Sequence, residues 1–152
     1  MESRYSNWLK YCQEYRTAAS AYLELCRKLS AEHTEQAGVC GIWNARQLTA
    51  HITGWEKEVM VQFSKLSQDL KSPIRYNIDE FNRQSVESRS QLTWDQTLQE
   101  LAQAQNELQY QVNKVDKDDI INTKQYLQWI IILAEHYQHH LDQLKVFWGD
   151  ER

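Results

Sequence analysis

The chain has 152 residues, 25% of them charged, with a formal net charge of -4 at pH 7 and a sequence pI near 5.7. This length suits a single domain, and an acidic chain whose Lys and Arg are scattered offers no electrostatic footprint for nucleic acid. Mean hydropathy is -0.74, yet 41% of residues are hydrophobic and six are Trp, so a core underlies a Gln-rich, charged surface and the composition is not that of a disordered chain.

With Pro 1 and Gly 4, little interrupts a sequence rich in Gln, Glu, Leu, Ala and Lys, and an all-α fold is predicted. Tyr5, Trp8, Leu9, Cys12, Tyr15, Ala19, Tyr22, Leu23, Cys26 and Leu29 recur at three- and four-residue steps, which predicts a first amphipathic helix from about Arg4 to Leu29. Ser30 to Trp43, with Gly38 and Gly41, reads as a loop. Asn44 is placed to cap a second helix with the stripe Leu48, His51, Ile52, Trp55, Val59, Phe63, Leu66 and Leu70, and Ser72-Pro73 ends it because proline lacks an amide donor.

Ile74 to Leu92 forms a long connection containing a short helix around Asp79 to Ser88. Thr93-Trp94-Asp95-Gln96 has the pattern of a capping box and opens a third helix through Leu98, Leu101, Leu108 and Val112 to Val115. A charged turn from Val115 to Asn122 precedes a last helix from about Thr123 to Trp148, with Gly149 as its stop. Four such stripes hide only against one another, which predicts a four-helix bundle with a long crossover between helices two and three and an up, down, down, up order.

Met1 to Lys10 lacks an apolar signal core, and the longest aliphatic run, Ile130 to Leu133, is far short of a membrane span, so a cytoplasmic protein with no membrane partner is expected. Cys12, Cys26 and Cys40 contain no CxxC pair and suggest neither a disulfide framework nor a Cys-rich zinc site. Cys12 and Cys26 read as small core residues.

The histidines carry the chemistry. His136 and His140 stand one turn apart on one helix face, with Cβ atoms roughly 6 Å apart, and His51 lies in the apolar stripe of another helix. Three neutral imidazoles converging on one divalent ion would leave coordination positions for water or substrate, as in catalytic rather than structural zinc sites. Nickel, zinc or ferrous iron suits such ligands. The plainer alternative is a hydrogen-bonded core histidine beside a chance pair. His139 and His33 are expected to face solvent.

The segment Leu48-Thr49-Ala50-His51-Ile52-Thr53-Gly54-Trp55-Glu56, followed by Glu135-His136-Tyr137-Gln138-His139-His140, resembles the DinB/YfiT-like superfamily of metalloenzymes. The stretch Tyr76-Asn77-Ile78-Asp79-Glu80-Phe81-Asn82 is similar to the branch that includes the ClbS and DfsB proteins. The resemblance implies a divalent metal on His51, His136 and His140. It also implies transfer or hydrolysis on a small electrophilic substrate, as in the thiol-dependent S-transferases, the mycothiol-dependent isomerase and the genotoxin-resistance hydrolase of the superfamily. A low-molecular-weight thiol would then be a further cofactor. The ClbS-type branch implies an alternative, a metal-independent or non-catalytic small-molecule binding and resistance protein.

Secondary candidates each have a plain counterpart. Glu58, two turns beyond His51, suits a general base or a salt-bridged surface carboxylate. Asn82 suits the mouth of a pocket or a hydrogen bond to substrate, and equally a turn or cap. Trp55, Trp129, Tyr126 and Tyr137 suit an aromatic wall or plain core, and Gly54 suits close helix approach or ligand access beside His51. Tyr5, Tyr11, Trp8 and Trp148 are candidate contributors to a homodimer surface.

Overall fold

A computed structural model describes residues 2–70 and 75–149. The fold is all-α, with helices α1 (Glu2–Arg27), α2 (Ala31–Thr34), α3 (Ala45–Ser67), α4 (Ile78–Glu87), α5 (Trp94–Asn113), α6 (Lys117–Asn122) and α7 (Lys124–Gly149). Both predicted caps form. The Asn44 side chain accepts from the Gln47 amide at 2.8 Å while the Gln47 side chain accepts from the Asn44 amide at 3.0 Å. Thr93 and Gln96 make the same reciprocal pair at 3.1 and 2.9 Å. Each box satisfies two donors that would otherwise be orphaned at a helix start.

Contacts fix the directions of the four long helices. Along α1 and α7, Trp8 meets Tyr126 and Tyr15 meets Tyr137, so residue numbers rise together and the helices are parallel. Trp8 packs on Phe63 while the Tyr22 and Thr49 hydroxyls pair at 2.8 Å, which sets α1 antiparallel to α3. Lys57 meets Glu100 at 2.7 Å and Gln111 reaches Ser64 at 3.0 Å, so α3 and α5 are parallel. The order is up, down, down, up.

Tyr15, Tyr22, Leu48, Phe63, Leu108 and Tyr137 are fully buried between these helices. At about 1.5–3 kcal/mol for each large apolar side chain, their burial dominates what holds the helices together. Cys12 and Cys26 are buried within the same core, as expected. No helix among the described residues is long and apolar enough to cross a membrane.

Several local expectations are corrected. The second long helix stops at Ser67, before Leu70: Asp69 takes φ 59°, and the amides of Asp69 and Leu70 turn back to the carbonyls of Leu66 and Lys65 at 3.1 and 2.9 Å. That is a Schellman stop with Asp at the left-handed position usually held by glycine, and it leaves Leu70 exposed. The expected Ser72-Pro73 stop lies outside the described residues.

The 30–43 loop contains α2, where His33 is half-buried and stacks edge-on against Trp148 at 4.6 Å instead of facing solvent. The charged turn folds as α6 because Ile120 is completely buried, despite the surrounding Asp and Lys residues. Gly149 is still helical. Trp8 is 4% exposed and belongs to the core, so it is withdrawn from any dimer surface.

Candidate metal centre and adjoining pocket

His51 lies in the second turn of α3, and His136 and His140 lie on α7. Because these helices pair antiparallel, three imidazoles meet in one layer. His51 Nε2 is 2.9 Å from His136 Nε2, and His140 Nε2 is also 2.9 Å from His136 Nε2. One ligand atom from each of the three falls within 4.8 Å of the others. Metal-bound imidazole nitrogens sit about 2.0–2.1 Å from the ion, so two of them at a right angle lie roughly 3 Å apart. The two short separations match that spacing.

Hydrogen bonding alone is a poor account of this cluster. A ring nitrogen carries either one proton or one lone pair, so His136 Nε2 cannot donate to one neighbour while accepting from the other. A cation shared by three lone pairs removes the conflict. His140 is already oriented for this: its Nδ1 contacts Gln143 Oε1 at 2.7 Å, and since a carbonyl oxygen accepts, the Nδ1 proton points outward and the Nε2 lone pair inward. Trp43 packs on His51 at 4.9 Å. His51 Nδ1 is buried without a hydrogen-bond partner among the described residues.

Burial lowers the pKa of His51 to about 4, with His140 adding to the shift and Asn82 opposing it. Burial takes His136 down to about 2, reinforced by His140, His51 and His139. Burial lowers His140 as well, against the pull of Gln143. All three rings are therefore neutral at neutral pH, the state a metal requires of them.

A cavity of about 430 Å³ adjoins the cluster, with His51 and His136 at one side and Trp55, Tyr76, Asn82 and Trp129 among its walls. A family model of the DinB superfamily matches residues 14–144. The chain belongs to the DinB superfamily. No curated protein and no solved structure matches it.

Within this DinB-superfamily fold the secondary candidates separate. Asn82 faces the cavity, where its Oδ1 accepts from Trp55 Nε1 at 2.8 Å. Glu58 does not line the cavity. Its carboxylate accepts from Gln62 Nε2 at 2.8 Å and from the Tyr76 hydroxyl, so it reaches the cavity only through Tyr76. Trp55 and Trp129 form walls as expected, whereas Tyr126 and Tyr137 belong to the core, where Tyr126 packs on Phe63 at 5.2 Å.

Gly54 serves helix approach. A Cβ there would lie 2.1 Å from Ser85 Oγ and 2.6 Å from Ser85 Cβ, so the glycine lets α4 settle on α3 and bring Phe81 and Asn82 to the cavity side. His139 is exposed, as expected.

Sequence reasoning missed Glu56. It is completely buried one layer from the histidines, accepting from the Tyr15 hydroxyl at 2.6 Å and from the Tyr137 hydroxyl, while Gln105 Nε2 donates to Tyr137 at 3.0 Å. This network joins α1, α3, α5 and α7. Burial pushes the Glu56 carboxyl up to about 7 against the two phenol hydrogen bonds. The signal was present in the stripe: Glu56 stands four residues after Ile52 and three before Val59, both core residues, so helical periodicity alone turns it inward.

Proposed function

We propose that His51, His136 and His140 hold one divalent metal ion and that the adjoining cavity binds a small electrophilic molecule for metal-assisted transfer or hydrolysis. Nickel, zinc and ferrous iron are the candidate ions, and a low-molecular-weight thiol is the proposed nucleophile where the reaction is transfer. The observation that carries this reading is the convergence of three neutral ring nitrogens at the edge of a ligand-sized cavity.

When bound, an ion with three uncharged ligands keeps its dicationic charge and supplies Lewis acidity toward a water, a thiol or a carbonyl. The chain's own residues do the rest. Gln143 fixes the His140 tautomer, Trp43 packs beside His51, and burial keeps all three rings unprotonated. Asn82 is the amide closest in role to a substrate-orienting group, since it lines the cavity with its oxygen already committed to Trp55. Glu58 acts at one remove, by holding the Tyr76 hydroxyl.

Elemental analysis of untagged protein, beside a variant with His51, His136 and His140 all changed to Ala, tests the reading. Near-stoichiometric metal that disappears in the variant is expected. Metal absent from both, even after reconstitution with nickel and zinc, would move the assignment to the metal-independent, ClbS-type binding reading. The predominantly apolar walls of the cavity favour that second reading, and protection against a toxic compound that saturates at one molecule per chain would identify it.

A further inference from the structure

The walls of the cavity say more about the ligand than the histidines do. Trp55, Tyr76 and Trp129 contribute three rings in series, with Trp55 and Tyr76 inclined at 64° and 5.3 Å apart and Tyr76 and Trp129 perpendicular at 6.0 Å. Phe81 backs Trp55 at 4.3 Å and stiffens that wall. The polar ends of two of these rings are already used: the Trp55 indole donates to Asn82 and the Tyr76 hydroxyl donates to Glu58. What remains toward the cavity is ring surface.

No Lys, Arg, Asp or Glu is among the described residues lining it. Apart from an ion held by His51 and His136, a carboxylate or ammonium entering this space would give up hydration without a counter-charge from the walls, which is costly in a low-dielectric setting. The rim is apolar too. Ile78 and Ile132 are 58% and 54% exposed, and both line the same cavity. Large aliphatic side chains left open to water and gathered on one concavity mark a surface that an apolar ligand covers. The volume of about 430 Å³ lies toward the small end of ligand pockets, room for a compact ring system.

We propose that the walls of the cavity, as distinct from any ion on the histidines, select neutral, flat, aromatic molecules over charged ones, a proposal that rests on the reading of this cavity as the substrate site. The ring system lies against the wall formed by Trp55, Tyr76 and Trp129 beneath the Ile78 and Ile132 rim, with one edge toward His51 and His136. Charged portions of any thiol co-substrate stay outside the rim.

The test compares 2-naphthol with 2-naphthoate, which share a ring system and differ in charge, by calorimetric titration of the full chain at neutral pH. A chelator is present, so that the carboxylate finds no ion to bind. Naphthol is expected to bind at least about tenfold more tightly than naphthoate, and Trp129→Ala is expected to weaken naphthol by about tenfold or more, a magnitude in keeping with the loss of one aromatic partner.

Ile132→Lys changes an exposed residue and therefore leaves the fold intact; it should narrow the preference by admitting the anion. Equal affinity for the two ligands would overturn the proposal. So would naphthol binding unaltered in Trp129→Ala, or a preference unaltered in Ile132→Lys, when the variant's circular dichroism matches that of the parent chain. Metal content of the chelator-free protein is read separately. A naphthol preference without any metal would sink the metal reading and keep this one, and bound metal without a naphthol preference would do the reverse.

Discussion

Glu56 offers the sharpest stability experiment. Its carboxyl is fully buried between the hydroxyls of Tyr15 and Tyr137, and burial raises its pKa from 4.5 to about 7. A carboxyl whose folded pKa lies above its unfolded value contributes stability that is fully present below the unfolded pKa and is lost as pH rises through the folded one. The interval from 4.5 to about 7, at about 1.4 kcal/mol for each pH unit, amounts to about 3 kcal/mol.

Glu56→Gln removes the titration, so the variant should gain about 3 kcal/mol relative to the parent chain between about pH 4.5 and pH 8. For a chain of this length that corresponds to a relative Tm gain of roughly 6–12 °C. The three histidines have depressed pKa values, so their contribution is present above 6.5 and falls away as pH drops toward their folded values; it is common to both proteins and cancels in the difference. Urea unfolding followed by far-UV circular dichroism across this range measures the gain. Stability curves that stay parallel from acid to alkaline pH would refute the argument that burial dominates the Glu56 environment.

Three further substitutions follow from the packing. Gly54→Ala places a methyl 2.1 Å from Ser85 Oγ, so α4 must shift at a cost of about 1–3 kcal/mol, and Ser85→Gly in the same chain should recover most of the loss in urea titrations. Asn82→Ala removes the acceptor of the Trp55 indole, lowering stability by about 1 kcal/mol and changing tryptophan emission; identical emission would count against the observed pairing. Asp69→Gly relieves a side chain held at φ 59° and should stabilise the chain by roughly 1 kcal/mol, read as a rise in Tm.

Much of the fold was legible because its signals are local. The two capping boxes begin with side chains that bond backbone amides three residues on, and the four stripes repeat at the helical period, so Asn44, Thr93 and the long helices could be placed from order alone. The His51, His136 and His140 set was legible for the same reason, since one pair shares a turn and the third residue sits in a stripe.

What escaped depends on tertiary contact. α6 is a helix because Ile120 finds the core, and nothing in its charged neighbourhood announces that. Glu56 was hidden by its residue type: a carboxylate in a stripe reads as surface until two distant tyrosines, Tyr15 and Tyr137, are seen to close around it. Glu58 shares a face with His51 in the helical pattern, yet its side chain turns toward Gln62 and Tyr76. Trp8 fits its place in the first stripe, lying against Phe63 and Tyr126, and not its place among the dimer candidates.

The central claim is that three ring nitrogens, on His51, His136 and His140, hold one divalent ion with positions left over for other ligands. Titration of metal-depleted protein with cobalt(II), followed by visible absorption, tests it most directly, because the spectrum reports both occupancy and coordination. One cobalt per chain, bands that shift when a small thiol is added, and loss of the spectrum in His136→Ala are the expected results. Bands that never form, or that form equally well in His136→Ala, would contradict the claim.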